Sequence, residues 1–311
     1  MGYVEDALRL SWISNLRQLS GKPKYGLKEW IGKKSYALTN VGQDEFTISD
    51  IEAQGALKAL SYDINKMAIG SFESLAHTRT INELPRSLSW VAIKLYYSSF
   101  YAANTLLRMN GRIPTYLEAL DVSKIKSMAF GVNGPIIKPG EYVGTYRNGY
   151  IDFMKSDRKS HEVVWSELLF YLQRVEAAYK NSNALQEDKS SLSKLIKSAT
   201  DCLTQGNCPH GNWPSQMRNK INYRYDFGVW FPYDNSVDYR HLSSLINKTL
   251  STMPEEIHMI PTGDLGSLIS VCAFINQLCK TSIVDMASRC PKGRSFLKDG
   301  TIEFMKLASV A

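Results

Sequence analysis

One segment of this 311-residue chain is apolar on almost every side of a helix. It is WVAIKLYYSSFYAANTLLRMNG, residues 90 to 111, and it closes with Asn110 and Gly111, residue types that favour a left-handed helix stop. The helix is predicted to open near Pro85, because a proline in the first turn loses no hydrogen bond. A helix without a broad polar stripe must be covered by other elements. We therefore predict that it forms the buried centre of a helical bundle.

Helical periodicity on both sides of this segment predicts the rest of the bundle. Ser49 and Glu52 have the spacing of a capping box, and an apolar helical face follows to about Ala76. The same kind of periodicity predicts helices at 161–179, 190–203, 237–250, 264–280 and 281–289, a terminal helix after Gly300, and one that Pro214 enters and that ends by Gly228.

The stretch from 112 to 157 has β character instead. Asn148 and Gly149 stand between two β-rich runs, which is typical of a tight hairpin, and the runs YALTNV and EFTI between 36 and 48 predict further short strands. The predicted fold is mainly α with a small β-containing insertion and extra C-terminal helices. The predicted division is an N-terminal extension with the short strands (1–48), first bundle helices (49–111), the insertion with its hairpin (112–159), the remaining bundle helices (160–252) and C-terminal helices (253–311).

Composition favours a soluble protein with anionic partners. The chain has 37 Lys and Arg against 30 Asp and Glu, a formal charge of +7, but no basic run, so an anion-binding surface must be assembled by folding. The first twenty residues do not fit a secretory signal, and the apolar run 265–279 is interrupted by Asn276 and Gln277 and is too short to span a bilayer. Five cysteines, an odd number, agree with reduced thiols. We expect a cytoplasmic protein with no membrane association.

The octet RNKINYRY, residues 218 to 225, is the strongest candidate for chemistry. On an ideal helix Arg218 lies within about 40° of both Asn222 and Tyr225, while Asn219 and Tyr223 share the neighbouring stripe. A guanidinium offers phosphate a fixed fork of donors. The pattern indicates a site that holds a phosphodiester, but an octet without histidine is also typical of a buried polar network.

Metal-independent RNA cleavage would need two things from such a site. The 2′-hydroxyl attacks its own phosphate, so negative charge on phosphorus must be stabilised and protons must move on and off two oxygens. Arg218 suits the first task, whereas Tyr223 is a poor base that could donate a proton to the leaving oxygen. His210, in a glycine-rich loop before the octet, is a candidate proton carrier, although an exposed loop histidine is the ordinary interpretation. His161 has the same standing, since its place at a helix start favours a lowered pKa rather than a role.

Two other groups of residues are candidates for a site, one for a metal ion and one for nucleic-acid bases. Cys202, Cys208 and His210 lie close in sequence, but their spacing is not a paired zinc pattern and no fourth ligand is adjacent, so we expect no metal and no cofactor. Four aromatic residues of the central helix could line a base-stacking cleft, although packing in the core is the simpler expectation. These residues are Tyr96, Tyr97, Phe100 and Tyr101.

Both signatures resemble those of one protein family. The segment at 90–111 looks like the aromatic-rich helix of HEPN-domain proteins, and RNKINYRY looks like their second motif. In that family an Arg, usually followed by a polar residue, precedes a His by four to six positions, and in toxins paired with a minimal nucleotidyltransferase a Tyr follows two positions later. Arg218 matches the Arg, Asn219 the polar neighbour and Tyr225 the final Tyr. The chain departs from the pattern at Tyr223, which stands at the His position, and this leaves open whether the protein cuts RNA.

The resemblance, which covers about 50–111 and 160–250, implies a fold and a function. The fold would be a HEPN-like helical bundle that dimerises and brings two copies of Arg218 to one cleft. The activity would be that of a metal-independent endoribonuclease, a toxin or antiviral defence effector, with Arg218, Asn219 and Tyr223 as catalytic residues. The residues expected in substrate binding or modification are Asn222, Tyr225 and His210.

The same resemblance leaves an alternative and implies partners. The alternative is a catalytically degenerate HEPN protein that binds RNA, a nucleotide or a partner protein without chemistry. The expected partners are RNA, a second copy of the chain, and an antitoxin or defence-system protein such as a nucleotidyltransferase that modifies Tyr225.

Overall fold

The structure is a computed structural model, which describes residues 2–52, 54–79, 88–129, 137–230 and 239–308. Across these ranges it forms eleven α-helices and one antiparallel sheet of five strands. The predicted mainly α fold with a small β component is therefore confirmed.

The apolar segment forms the centre of the helical part. Helix α4 (Ser89–Met109) has 16 buried residues out of 21, and it packs against α3 (Gly55–Arg79), α6 (Ser160–Lys180) and α10 (Leu265–Ser288). Gly111 follows with a φ of 77°, the left-handed stop that the sequence predicts. The predicted opening at Pro85 lies outside the described residues. The prediction of a buried central helix is confirmed.

The remaining helices pack around this core or against the sheet. The predicted helices at 161–179, 190–203 and 237–250 are confirmed to within a few residues. Their bounds and those of the other helices are α1 (Tyr3–Arg9), α2 (Leu27–Lys33), α5 (Ala119–Lys126), α7 (Gln186–Thr204), α8 (Trp213–Asn219), α9 (Tyr239–Ser251) and α11 (Glu303–Leu307). Short 3₁₀ turns lie at Leu16–Gln18, Asp226–Gly228 and Pro254–Glu256, and π turns at Lys220–Arg224 and Lys298–Ile302.

The sheet combines strands from distant parts of the sequence. Its strands are β1 (Tyr36–Thr39), β2 (Glu45–Asp50), β3 (Arg112–Leu117), β4 (Gly140–Arg147) and β5 (Tyr150–Lys155), in the spatial order β1-β2-β5-β4-β3. Asn148 (φ 47°) and Gly149 (φ 91°) form the predicted hairpin turn, which is confirmed. One face of the sheet packs with α2, α5 and the start of α3 in a second buried cluster. Because β2 pairs with β5, residues 36–50 share a sheet with 112–155; the domain division itself stays a prediction.

The predicted capping box at Ser49 is wrong. Ser49 pairs with Tyr150 in the sheet, and the helix begins only at Gly55. The carboxylate of Asp50, at the end of β2, accepts hydrogen bonds from the backbone nitrogens of Ala56 (2.7 Å) and Glu52 (3.1 Å). The strand takes Ser49 because pairing with β5 satisfies its backbone groups, and Asp50 then serves the free amides at the helix start.

The predicted break between residues 280 and 281 is also wrong, because α10 is one helix of 24 residues. Its polar residues stay inside the helix because their side chains have buried partners: Asn276 accepts hydrogen bonds from two serines, and Gln277 donates to the carbonyl of Leu250. The full helix is long and apolar enough to cross a membrane, so the prediction that this segment is too short to span a bilayer is wrong. However, 83% of its most apolar window is buried inside the protein, as in a core helix of a soluble protein.

Candidate functional site

The octet does not form one regular helix. Helix α8 starts with Pro214 in its first turn and carries Arg218, but a π turn follows at Lys220–Arg224 and the chain leaves the helix at Tyr225, whose φ is 57°. Phe227 also has a positive φ, 73°. The ideal-helix geometry expected for Tyr225 is therefore wrong. Left-handed conformations in non-glycine residues and π turns both concentrate at functional sites, because they cost energy that packing alone rarely requires.

The guanidinium of Arg218 lies among aromatic rings. Its Cζ atom is 5.5 Å from the ring centre of Tyr96, 5.7 Å from that of Tyr97 and 6.0 Å from that of Tyr223, distances at which cation–π attraction operates. Within the described ranges Arg218 has no ion pair, and its Nε atom is shielded from water without an acceptor. A half-buried cation that lacks a carboxylate partner can accept an anionic ligand.

A histidine from another helix reaches the same rings. His161, near the start of α6, stacks on Phe100 with ring centres 4.4 Å apart, and its Nδ1 lies 2.6 Å from the hydroxyl oxygen of Tyr96. The indole nitrogen of Trp165 donates to that same oxygen at 3.2 Å. We call the group Arg218, His161, Tyr96, Tyr97 and Phe100 the Arg218 cluster.

The surroundings keep His161 and Tyr96 uncharged. Burial lowers the pKa of His161 below its usual 6.5, and the positive charge of Arg218 lowers it further. Burial raises the pKa of the Tyr96 phenol above 10, against opposing contributions from hydrogen bonds with Trp165 and Ser215 and from the charge of Arg218. At neutral pH the cluster thus presents one permanent cation beside a neutral imidazole that is able to accept a proton.

A second group of aromatic side chains, two exposed and one partly buried, includes a residue of the octet. The ring of Trp230 meets Tyr225 edge-on at 5.5 Å and Trp90 at 5.9 Å, and its indole nitrogen donates to the carbonyl of Ile221 at 2.8 Å. Trp90 is 55% exposed and Tyr225 is 65% exposed. We call Trp90, Tyr225 and Trp230 the aromatic shelf. Large exposed aromatic rings are suited to stacking with the bases of a single nucleic-acid strand.

Several other predicted site residues lie at the edge of this group. Tyr223 is 66% exposed and reaches the guanidinium with its ring, Asn219 is exposed, and Asn222 is half-buried. His210 is exposed in its loop, and its Nδ1 is 3.3 Å from a guanidinium nitrogen of Arg158. Within the described ranges no contact joins His210 to the octet.

The central helix divides its polar and aromatic residues between two environments. Tyr96 is fully buried but turns its hydroxyl toward His161, while Tyr101 is partly exposed at the surface. Ser98 and Ser99 face α10 and hydrogen-bond to Asn276 and Cys272 there. Core packing, the simpler expectation for this helix, is met by Tyr96, whereas the lining of a base-stacking cleft by its aromatic residues stays a prediction.

In the part of the chain that the structure describes, no group of three His, Cys, Asp or Glu side chains could hold a metal ion. All five cysteines are buried and free. Burial raises the pKa of Cys202 to about 11, and it raises the pKa of Cys208 as well, so both thiols stay protonated.

Sequence reasoning missed the position of His161 near Arg218. This position depends on how α6 and α8 each pack against α4, and spacing along the chain contains no information on that. The one available signal was the pair of Tyr96 and Tyr97, polar-tipped aromatic residues in an otherwise apolar helix, which need hydrogen-bond partners when buried.

Comparison with family models, curated proteins and solved structures found no match to this chain. The geometry of the Arg218 cluster and the aromatic shelf is therefore the basis for a functional proposal.

Proposed function

We propose that this protein is a metal-independent endoribonuclease of the HEPN type that cleaves single-stranded RNA at the Arg218 cluster. The observation that supports this most is the contact of the Arg218 guanidinium and the His161 imidazole with the same two rings, Tyr96 and Tyr97. The octet lacks a histidine, and a neighbouring helix supplies one. A cation without a carboxylate partner beside a neutral base is the combination that metal-independent RNA cleavage requires.

In the proposed mechanism Arg218 binds the scissile phosphate and stabilises the negative charge that develops on phosphorus. With its ring proton on Nδ1, His161 donates to the Tyr96 oxygen, and its Nε2 accepts the proton of the 2′-hydroxyl. The 2′-oxygen then forms its bond to phosphorus as the bond to the 5′-oxygen breaks. Tyr223 is exposed beside the guanidinium and donates a proton to that leaving oxygen. The products are a 2′,3′-cyclic phosphate and a 5′-hydroxyl.

The roles of the remaining candidates follow from their positions. Asn219, exposed one residue after Arg218, orients the phosphate, and Asn222 lies on the next turn. Tyr225, as part of the aromatic shelf, stacks with a base that flanks the scissile phosphate. His210 has no role in this mechanism, because its described contact is with Arg158.

The test is a cleavage assay in EDTA with a mixture of tRNA and messenger RNA. We expect the wild-type protein and an Arg224→Ala control to produce fragments with 2′,3′-cyclic phosphate ends, and Arg218→Ala and His161→Asn to produce none. Arg224 is a matched control because it is an exposed arginine of the same octet, in the π turn that follows Arg218. Cleavage that persists in Arg218→Ala, or that needs Mg²⁺, would contradict the proposal.

The alternative is a catalytically degenerate HEPN protein that binds RNA without cutting it. The replacement of the family histidine by Tyr223 favours it. Under this alternative RNA stays intact in every sample, and a gel-shift assay still shows binding that Arg218→Ala removes. Expression levels separate the two functions as well. If the protein is a nuclease, its activity harms the cell, and the wild-type protein is harder to express than Arg218→Ala; a binding protein shows no such difference.

The proposed biology follows from the HEPN resemblance. The protein would act in the cytoplasm as a homodimer, as a toxin or an antiviral effector, under control of an antitoxin or defence-system partner. The hydroxyl-bearing ring of Tyr225 is 65% exposed, as a residue must be if a nucleotidyltransferase is to modify it. Size-exclusion chromatography with light scattering tests the dimer.

A further inference from the structure

Two adjoining cavities lie at the loop that precedes α2, and none of their described lining residues belongs to the Arg218 cluster. The larger has a volume of about 490 Å³, and we call it the lysine cavity because Lys22, Lys24, Lys33 and Lys58 line it. Tyr25, Ser61 and Phe296 line it too, and among its described lining residues there is no Asp or Glu. Four exposed lysines therefore line one hollow that has no Asp or Glu among its described lining residues.

These four lysines have no carboxylate partner among the residues that the structure describes. The structure describes ion pairs for other lysines, such as Lys28 with Glu118, but for none of these four within the described ranges. Lys33 instead places its Nζ atom 3.3 Å from the ring centre of Tyr25. Like charges on the walls of a concave surface raise the local positive potential and draw in anions, phosphate groups above all.

The smaller cavity, of about 220 Å³, shares Lys22, Pro23 and Phe296 with the lysine cavity. We call it the ring cavity, because its other walls include the ring of Tyr62 and the aliphatic side chain of Ile69. Its one described acidic residue, Asp299, is paired with Arg294 at 2.8 Å. Apolar and aromatic walls with a few polar groups are typical of a pocket for a flat ring system.

The wall between the two cavities is held in place by hydrogen bonds. The side-chain amide of Asn65 donates to the carbonyl of Phe296 at 2.9 Å, and its oxygen accepts from the hydroxyl of Thr301 at 2.8 Å. On the other side, Phe296 donates from its backbone nitrogen to the carbonyl of Leu19, next to the loop. These hydrogen bonds thus hold the boundary between the lysine cavity and the ring cavity in a fixed position.

We propose that these cavities together form a binding site for a nucleotide, with the phosphate chain in the lysine cavity and the base in the ring cavity. The combination of a four-lysine wall and an adjoining aromatic wall selects a ligand that carries a polyanion and a planar ring in one molecule. Inorganic phosphates fill only the first cavity, and nucleosides only the second. The site is independent of the Arg218 cluster and of the function proposed for it.

Calorimetric titration with ATP, tripolyphosphate and adenosine in EDTA tests the site. ATP is expected to bind more tightly than either fragment, and Arg218→Ala is expected to bind it as the wild-type protein does. The double variant Lys24→Ala/Lys58→Ala should lower the affinity for ATP by about tenfold or more. The control Lys194→Ala/Lys248→Ala removes the same charge from exposed positions on α7 and α9 and should leave binding unchanged.

A second variant tests the ring cavity. Ile69→Trp, at a half-buried position of α3, should fill the ring cavity without adding charge, reduce the affinity for ATP toward that for tripolyphosphate and leave the affinity for tripolyphosphate unchanged. The proposal is overturned by absence of ATP binding, by equal losses in the two double variants, or by equal affinities for ATP and tripolyphosphate. It is also overturned if Lys24→Ala/Lys58→Ala weakens only the binding of single-stranded RNA, which would make the lysines part of an RNA path.

Discussion

The hydroxyl oxygen of Tyr96 lies 2.6 Å from Nδ1 of His161. Tyr96 lies on α4 and His161 on α6. The guanidinium of Arg218 contacts the ring of Tyr96, and its positive charge lowers the pKa of His161. Tyr96 fixes the imidazole from one side, as an orienting residue fixes a catalytic base, and Phe100 supports its face. The properties of this imidazole are therefore the most direct measure of the proposed site.

The first prediction concerns the pKa of His161. Because burial and Arg218 lower it below 6.5, NMR titration of the imidazole should give a value under 6.5 in the wild-type protein and a higher one in Arg218→Ala. Arg224→Ala should leave it unchanged. A wild-type value at or above 6.5 would contradict the proposed electrostatics.

The same lowered pKa has a consequence for stability. Between the folded-state pKa and 6.5 the unfolded chain binds more protons at this position than the folded chain, so the contribution of His161 is complete above 6.5 and is lost as pH falls through the folded-state value. Chemical denaturation of wild-type and His161→Asn proteins below and above pH 6.5 measures it. The difference between the two proteins should change in the acidic window only.

The second prediction separates orientation from packing at Tyr96. Tyr96→Phe keeps the ring but removes the oxygen that contacts His161 and accepts from Trp165, so the unfolding free energy should fall by about 1–3 kcal/mol. The rate of RNA cleavage should fall by more than the decrease in the fraction of folded protein accounts for. The pH dependence of this rate should also change. Tyr97→Phe is the matched control, because its ring faces the same guanidinium. If Tyr96→Phe cleaves RNA at the wild-type rate and pH dependence, Tyr96 does not orient the base.

The third prediction concerns the aromatic shelf. Trp90→Ala should weaken binding of single-stranded RNA by about 1–3 kcal/mol, because stacking of a base on an exposed ring is lost. Duplex RNA should be affected less, since its bases are already stacked. Phe170→Ala, which removes an aromatic ring of α6 that is 50% exposed, is the control, and fluorescence anisotropy of labelled RNA is the measurement. Equal losses on single-stranded and duplex RNA would exclude a stacking role.

The parts of the fold that follow from local chemistry could be predicted from the sequence. The Asn148–Gly149 turn needs two residues at positive φ, and those two residue types adopt it readily. Helix α4 is central because its apolar residues leave no polar face. Both features depend on a few consecutive residues.

The features that sequence reasoning missed depend on contacts between distant residues. Ser49 has the residue type of a helix cap, but pairing with Tyr150 places it in a strand. Asn276 looks like an interruption of an apolar helix until the hydroxyls of Ser71 and Ser98 are brought to it. The meeting of His161 with Arg218 is of the same kind, because it depends on three helices packing together.

The last prediction tests the buried hydrogen bonds that join α3, α4 and α10. The side-chain oxygen of Asn276 accepts from Ser71 at 3.0 Å and from Ser98 at 2.7 Å, and all three residues are almost fully buried. Asn276→Ala should lower the unfolding free energy by about 1–3 kcal/mol, because buried hydroxyls lose an acceptor, with a further loss from the cavity. Asn276→Leu fills the volume but not the hydrogen bonds and should also be destabilising. Asn247→Ala, at an exposed position of α9, is the control in urea denaturation. If Asn276→Leu is as stable as the wild-type protein, volume rather than hydrogen bonding sets the role of this residue.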